Sequence, residues 1–256
     1  MKLNPIFLAL ALLMVFSCNT DEKNLTHQTT INLKFIHNWD EIEITSSNFN
    51  TLNYTNAYGN IVSIERLRYL ISDIELTKNN GQIITMDGYS LVDLSNENTL
   101  LHMPIDLIET GTYINISFTF GFTNEKNIDG IYTDLNSKSW NVPSMLGGGY
   151  HYLQLDGRFL NGQNEEQGYN YHAIRAVDNP GDTPSFTQDT FFKVNLGTVN
   201  IEPDTDINIA MNIAEWFKNP NTWNLNEFNQ MLMPNSEAQI MMYENGQNAF
   251  TLISND

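Results

Sequence analysis

Two histidines on one predicted hairpin are the residues best placed to do chemistry. His151 follows three consecutive glycines at 147–149 and leads the more apolar face of a predicted strand, and His172 lies on the next strand. Trp140 and Met145 precede the glycines. Two imidazoles with a thioether nearby suit a soft metal ion, although the histidine spacing matches no closed zinc template. The alternative is an aromatic-rich hairpin whose histidines meet only structural needs.

A third histidine has a similar local setting. Residues 31–37 alternate as a half-buried strand does, and His37 stands at the end of the apolar face. Trp39 has the same parity, so its ring could stack near that imidazole. The alternative to a metal ligand is again a histidine satisfied by hydrogen bonds within the fold.

These residues require strands to position them. Alternating patterns predict strands near residues 31–37, 67–77, 113–120, 150–155 and 190–196, with little helix outside 213–245. In the last region, Ser236 is predicted to cap a helix over 237–244. We predict one all-β, sandwich-like domain over residues 30–256, with a few short helices near its C-terminus.

The N-terminus predicts export and lipid attachment. Residues 1–17 combine Lys2 with an apolar run too short to span a bilayer, which is typical of a signal peptide. Ser17-Cys18 resembles a lipobox, and Cys18 is the one cysteine of the chain, so it is the candidate lipid acceptor. Residues 18–29 are predicted to be the acylated cysteine and a polar tether. We therefore predict a lipid-anchored protein of the cell envelope. The alternative is that residues 1–17 are an ordinary cleaved signal peptide, with no lipid attached.

The acidic composition excludes nucleic acid as a partner, and one polar loop suggests calcium as a second possible cation. The chain has a net charge of −18, so it presents no basic surface for nucleic acid. The loop at 121–136 carries oxygen ligands of the kind calcium prefers, although their spacing does not match an EF-hand and a plain turn is the favoured interpretation. These side chains are Asn124, Asn127, Asp129 and Asp134.

No sequence pattern supports an enzyme. The chain shows no Ser-His-Asp ordering, nucleotide-binding loop or H-E-x-x-H element. Asp156 is predicted to face the opposite side of the strand from His151, which argues against a catalytic pair. We therefore expect a binding protein.

Four segments, in this order, resemble the MbnP-like copper-binding family. Residues 66–76 contain Y-L-I-S, similar to the family's central Y-x-x-S strand. Residues 147–157, G-G-G-Y-H-Y-L-Q-L-D-G, resemble its glycine–tyrosine strand, and Tyr171-His172 its following histidine strand. W-F-K-N-P and E-N-G-Q-N-A-F, within 216–250, resemble its C-terminal part. The likeness covers residues 30–252.

The resemblance implies a lipid-anchored β-protein that binds copper, as Cu(I), for storage, uptake or delivery. It implies His37, His151 and His172 as ligands, and a nearby thioether such as Met145 suits the same ion. The alternative is a surface lipoprotein that binds a partner, such as an outer-membrane receptor, and whose histidines are structural.

In some family members a tryptophan near the metal is oxidised to kynurenine, with a dihaem peroxidase-like partner. Trp39 and Trp140 are the corresponding candidates for a modified or stacking tryptophan. This chain has M-L-G-G-G-Y at 145–150, where the founding members carry a tryptophan-bearing M-x-W-x-W segment. The variant is more typical of Bacteroidetes lipoproteins.

Overall fold

The computed structural model describes residues 27–253 as an eight-stranded and a five-stranded β-sheet packed face to face, with a separate two-stranded sheet of Gln28–Thr29 and Ile108–Glu109. The strands are β1 Gln28–Thr29, β2 Asn32–Trp39, β3 Ile42–Glu43, β4 Tyr54–Thr55, β5 Ile61–Val62, β6 Arg66–Thr77, β7 Ile83–Asp93, β8 Leu101–His102, β9 Ile108–Glu109, β10 Gly111–Phe120, β11 Leu153–Leu160, β12 Glu166–Ala173, β13 Phe192–Ile201, β14 Asp206–Asn212 and β15 Phe250–Ile253. The α-helices are α1 Thr133–Ser137 and α2 Ser236–Gly246. Short 3-10 helices occupy Ser46–Asn48, Glu97–Thr99, Ser144–Leu146 and Ile213–Phe217.

The larger sheet is organised around β6. One edge of β6 pairs with β7 along nearly its whole length. Its other edge pairs with β11 in the first half and with β10 in the second half. The hairpin of β11 and β12 therefore lies beside the start of β6, and this hairpin carries two of the predicted ligands.

The smaller sheet has the order β15-β14-β2-β3, and β8 also pairs with β2. β14 runs parallel to β2, whereas the other pairs in this sheet are antiparallel. Alternate residues of β2 are buried, as the sequence pattern predicts for a strand with one face on the core.

Aromatic side chains join the two sheets. The Phe35 ring of the smaller sheet lies 6.0 Å from the Tyr69 ring and 6.2 Å from the Phe118 ring of the larger sheet, edge to face in both cases. All three belong to one continuous core. The predicted all-β, sandwich-like fold is confirmed, and its core is rich in aromatic rings.

Three local predictions differ from the structure. The strand predicted at 150–155 begins only at Leu153, because the preceding glycine turn continues as irregular backbone. Helix α2 begins one residue earlier than predicted, since Asn235 is its cap and accepts a hydrogen bond from the Ala238 N–H. The tether predicted at 18–29 is too long, because Gln28–Thr29 pair with β9.

The signal peptide predicted at 1–17, Cys18 and most of the tether lie outside the described residues. Within residues 27–253, no helix is both long and apolar enough to cross a bilayer.

Candidate metal centre

The outer face of the β11–β12 hairpin carries a row of polar side chains. Tyr171, which points inward, is fully buried in the core, and alternation sends its neighbours Asn170 and His172 to the opposite face. The strand register places Gln154 opposite His172, and Asp156 opposite Asn170. These four side chains therefore form one patch on the side of the larger sheet that faces away from the smaller sheet.

Asp156 fixes the orientation of the His172 ring. Its Oδ1 lies 2.7 Å from His172 Nε2 and accepts a hydrogen bond of 2.7 Å from Asn170 Nδ2, while Oδ2 pairs with Arg66 Nη1 at 3.2 Å. Burial opposes ionisation of this carboxyl, but the bond to His172, the bond from Asn170 and the Arg66 charge together leave the Asp156 pKa lowered.

An ionised carboxylate can only accept a hydrogen bond, so His172 Nε2–H donates to Asp156 and Nδ1 is the nitrogen left to bind a ligand. Among the described residues, Nδ1 has no hydrogen-bond partner. The His172 ring thus presents one oriented nitrogen to a ligand.

The carbonyl of Trp140 fixes the second ring. It accepts hydrogen bonds from both the backbone N–H of His151, at 3.0 Å, and the ring Nδ1, at 2.9 Å. A carbonyl can only accept, so Nδ1 carries the proton and Nε2 has the lone pair. Burial lowers the pKa of His151 to about 4, so the imidazole is neutral at pH 7. In the described part of the chain, Nε2 has no hydrogen-bond partner.

The two rings are in contact. Their centroids lie 5.4 Å apart with an interplanar angle of 84°. His151 therefore lies on the same side of the sheet as Asp156, and the prediction that they face opposite sides is wrong. The strand starts two residues after His151, so its alternation does not extend back to that histidine.

The glycine turn is what allows His151 to reach this position. Gly147 and Gly149 have φ values of 99° and 76°, in the left-handed region that disfavours side chains. A Cβ at Gly147 would lie 2.2 Å from the Phe186 ring, and one at Gly149 would lie 2.5 Å from Asn127 Oδ1. Tight packing and positive φ therefore both require glycine at these two positions.

Trp140 is a neighbour of the pair. Its fully buried ring lies 5.6 Å from the His151 ring, and the Arg68 guanidinium lies over it at 5.1 Å. Arg68 is held in place by two hydrogen bonds to Gln154 Oε1, at 2.8 and 2.6 Å. The indole Nε1 is buried without a partner among the described residues.

Met145 lies with His172 on the wall of a cavity of about 520 Å³. Met231 and Met233 line the same cavity, and sequence reasoning missed both. The signal that could have found them is the Met-Leu-Met-Pro run at 231–234, which places two thioethers two residues apart.

The structure does not bring His37 to this pair. His37 points into the core between the sheets, where its Nε2 lies 3.1 Å from the Tyr69 hydroxyl. The pair lies on the opposite face of the larger sheet, so the sheet itself separates the two regions. Trp39 is also remote, because its ring stacks on Tyr54 at 5.2 Å and on Phe217 at 5.6 Å.

The side-chain amides of the loop suggested for calcium make hydrogen bonds within the fold. Asn127 Oδ1 accepts a hydrogen bond from the Tyr150 N–H, and its Nδ2 donates to the Tyr152 hydroxyl. Asn124 donates to Asp189 at 2.6 Å, and Asp134 accepts from the Tyr89 hydroxyl. These bonds support the interpretation of the loop as an Asx-rich turn.

Few metal-ligand atoms are available at the His151–His172 pair. Across residues 27–253, no group of three or more His, Cys, Asp or Glu side chains is arranged to hold a metal ion. Two imidazole nitrogens fit an ion that accepts low coordination, and they leave zinc short of its usual ligands.

Comparison with known proteins places the chain in a family. The family model described as MbnP matches residues 28–241. The chain belongs to the MbnP family. The solved structure of MbnP from Methylosinus trichosporium matches with a TM-score of 0.54 at 11% identity, over 76% of this chain and 79% of that one. At this identity the match shows a shared fold. A search of curated proteins gives no match.

Proposed function

We propose that this MbnP-family protein binds Cu(I) through His151 and His172. The observation that carries the proposal is the pairing of two rings in contact, each with one nitrogen held by a hydrogen bond and the other free. Metal-binding histidines are typically oriented in this way through the nitrogen that does not bind the metal. Asp156 and the Trp140 carbonyl serve that purpose here.

The chemistry of the donors favours Cu(I) over harder ions. Imidazole and thioether groups suit this soft ion, which is stable with two or three ligands. Zinc and calcium need more ligands, and calcium prefers oxygen. The nearest carboxylate, Asp156, is already engaged by His172, Asn170 and Arg66. Met145 would supply a thioether from the cavity beside His172.

Binding, and not catalysis, is the role we infer. A histidine oriented by an aspartate also occurs in hydrolases, where its free nitrogen activates a nucleophile. Within the described residues, no hydroxyl or thiol hydrogen-bonds to the free nitrogen of either histidine. The arrangement therefore supports a ligand for a metal ion better than a general base.

The protein would act in the cell envelope, anchored through a lipid on Cys18, in copper storage, uptake or delivery. Trp140 is the tryptophan beside the pair, so it is the residue on which a dihaem peroxidase-like partner would act if oxidation occurs. Trp39, stacked between Tyr54 and Phe217, has no contact with the pair.

The test is Cu(I) affinity, measured by competition with a chromophoric Cu(I) chelator under anaerobic conditions. His151→Ala and His172→Ala should each weaken binding by more than about 100-fold, because changes behind the ligands alone cost 10–100-fold. His102→Ala, in β8 of the other sheet, is the matched control and should bind as the unaltered protein does.

The melting temperature of the metal-free variants separates the alternatives. Unchanged Cu(I) affinity with a lowered melting temperature would contradict the proposal. That result would make the histidines structural and would favour a surface lipoprotein that binds a partner, such as an outer-membrane receptor.

A further inference from the structure

Three methionines surround the cavity beside His172. Met145, Met231 and Met233 contribute thioethers to its wall, and none of its eight lining residues is Asp, Glu, Lys or Arg. This is unusual in a chain with a net charge of −18. A cavity without carboxylates offers nothing to a hard cation, whereas thioethers are ligands for soft ones.

Two of these methionines are largely exposed to solvent. Met145 is 56% exposed and Met231 is 79% exposed, so neither stabilises the core by burial. Met231 also has φ of 57°, a left-handed conformation that is costly for a residue with a long side chain. An exposed apolar side chain on a strained backbone is not explained by packing, and it indicates a function at this position.

The methionine loop is fixed to the strand that carries His172. The Asn229 carbonyl accepts a hydrogen bond of 2.8 Å from the Asn170 N–H of β12. The buried Gln239 amide donates to both the Leu232 carbonyl, at 3.0 Å, and the His172 carbonyl, at 2.9 Å. One side chain thus ties the backbone between Met231 and Met233 to the backbone of the candidate ligand. The loop that carries Met231 and Met233 is therefore anchored beside His172.

We propose that Met145, Met231 and Met233 form a second soft-metal site, which binds one Cu(I) or Ag(I) ion next to the histidine pair. A thioether is neutral and needs no deprotonation, so the ion does not compete with a proton for these ligands. The exposed position makes it the entry point to the more buried imidazoles. This inference deepens the proposed function and rests on it for the role as an entry point, but the thioether site itself can be tested alone.

The test uses the tag-free protein labelled with carbon-13 at the methionine methyl groups and titrated with Ag(I), a redox-stable analogue of Cu(I). The methyl resonances of Met145, Met231 and Met233 should shift together and saturate at one ion. The resonance of Met103, which is 61% exposed elsewhere on the surface, is the internal control and should not move. Zn²⁺ should move none of the methionine resonances.

Variants then separate the two sites. Combined Met145→Leu, Met231→Leu and Met233→Leu changes nearly conserve side-chain volume, and they should lower the number of Ag(I) ions bound per chain by one. Met103→Leu should leave that number unchanged. In His151→Ala the methionine shifts should persist, so failure of the histidine site would be seen separately. Resonances that stay in place at excess Ag(I), or a triple variant that keeps its full ion count, would overturn the inference.

Discussion

His37, on the smaller sheet, and the His151–His172 pair lie on opposite sides of the larger sheet, and the comparison shows what makes a histidine available to a ligand. His37 is 2% exposed and His151 is 5% exposed, so burial alone does not distinguish them. The neighbours do. His37 meets one hydroxyl among aromatic rings, whereas His151 meets a second imidazole whose free nitrogen has no other partner in the described chain.

The largest expected effect is that acidification destabilises the fold through the buried His37. Burial lowers the pKa of His37 from 6.5 to about 4. Above pH 6.5 the ring is neutral in both folded and unfolded protein, so it adds no pH dependence. Between pH 6.5 and 4 the unfolded chain binds the proton and the folded one does not, so the free energy of unfolding falls by up to about 3 kcal/mol from this residue.

The check is urea unfolding of the metal-free protein at pH 7 and pH 4.5. His37→Gln can still bond to Tyr69 but cannot titrate, so it should lose less stability on acidification than the unaltered protein does. Tyr69→Phe removes the bond and keeps the imidazole, so it should keep the acid sensitivity. Equal acid sensitivity in His37→Gln and the unaltered protein would show that His37 is not the buried, neutral group described here.

Removal of the proton acceptor behind His172 should weaken the outer pair without destroying it. In Asp156→Asn, the amide no longer selects the Nε2–H form of the ring, and Cu(I) affinity should fall about 10–100-fold. The chelator competition assay measures the loss. Glu65→Gln removes a carboxylate whose partner is Arg158 and not a histidine, and is the matched control. An unaltered affinity in Asp156→Asn would show that the carboxylate does not orient His172 for metal binding.

The smallest effect is expected at Trp140. Its main-chain carbonyl orients His151, and Trp140→Phe leaves that carbonyl in place. Cu(I) affinity should therefore change by no more than about threefold, because the group behind the ligand is retained. The same competition assay measures this, and mass spectrometry of the unaltered protein reports whether the indole has been oxidised. A loss as large as that in His151→Ala would place the ring itself, or an oxidised form of it, at the metal.

Sequence patterns were enough for the fold because alternation is a local property. Strands β2, β6 and β10 are long, carry regular apolar faces and lie close to their predicted positions. The same rule failed at His151, since three glycines with positive φ interrupt the strand and reset which side the next residues face. Residue spacing along the chain cannot show such a reset.

The site was only partly accessible for the same reason. His151 and His172 are on paired segments, so the hairpin predicted their proximity. The sequence could not show that His37 lies apart from the other two predicted ligands. Strand parity gives the face of a strand and not the sheet against which that face packs. Met231 and Met233 are brought in by a loop with no periodic pattern, and Gln239, which fixes that loop, lies in a later helix.

The most direct test of the central claim is nitrogen-15 NMR of the histidine rings before and after addition of Cu(I). In the metal-free protein, His151 should be protonated at Nδ1 and His172 at Nε2, as their acceptors require. On addition of Cu(I), the resonances of His151 Nε2 and His172 Nδ1 should shift strongly, and those of His37 should stay in place. A shift at His37, or no shift at either free nitrogen of the pair, would contradict the account.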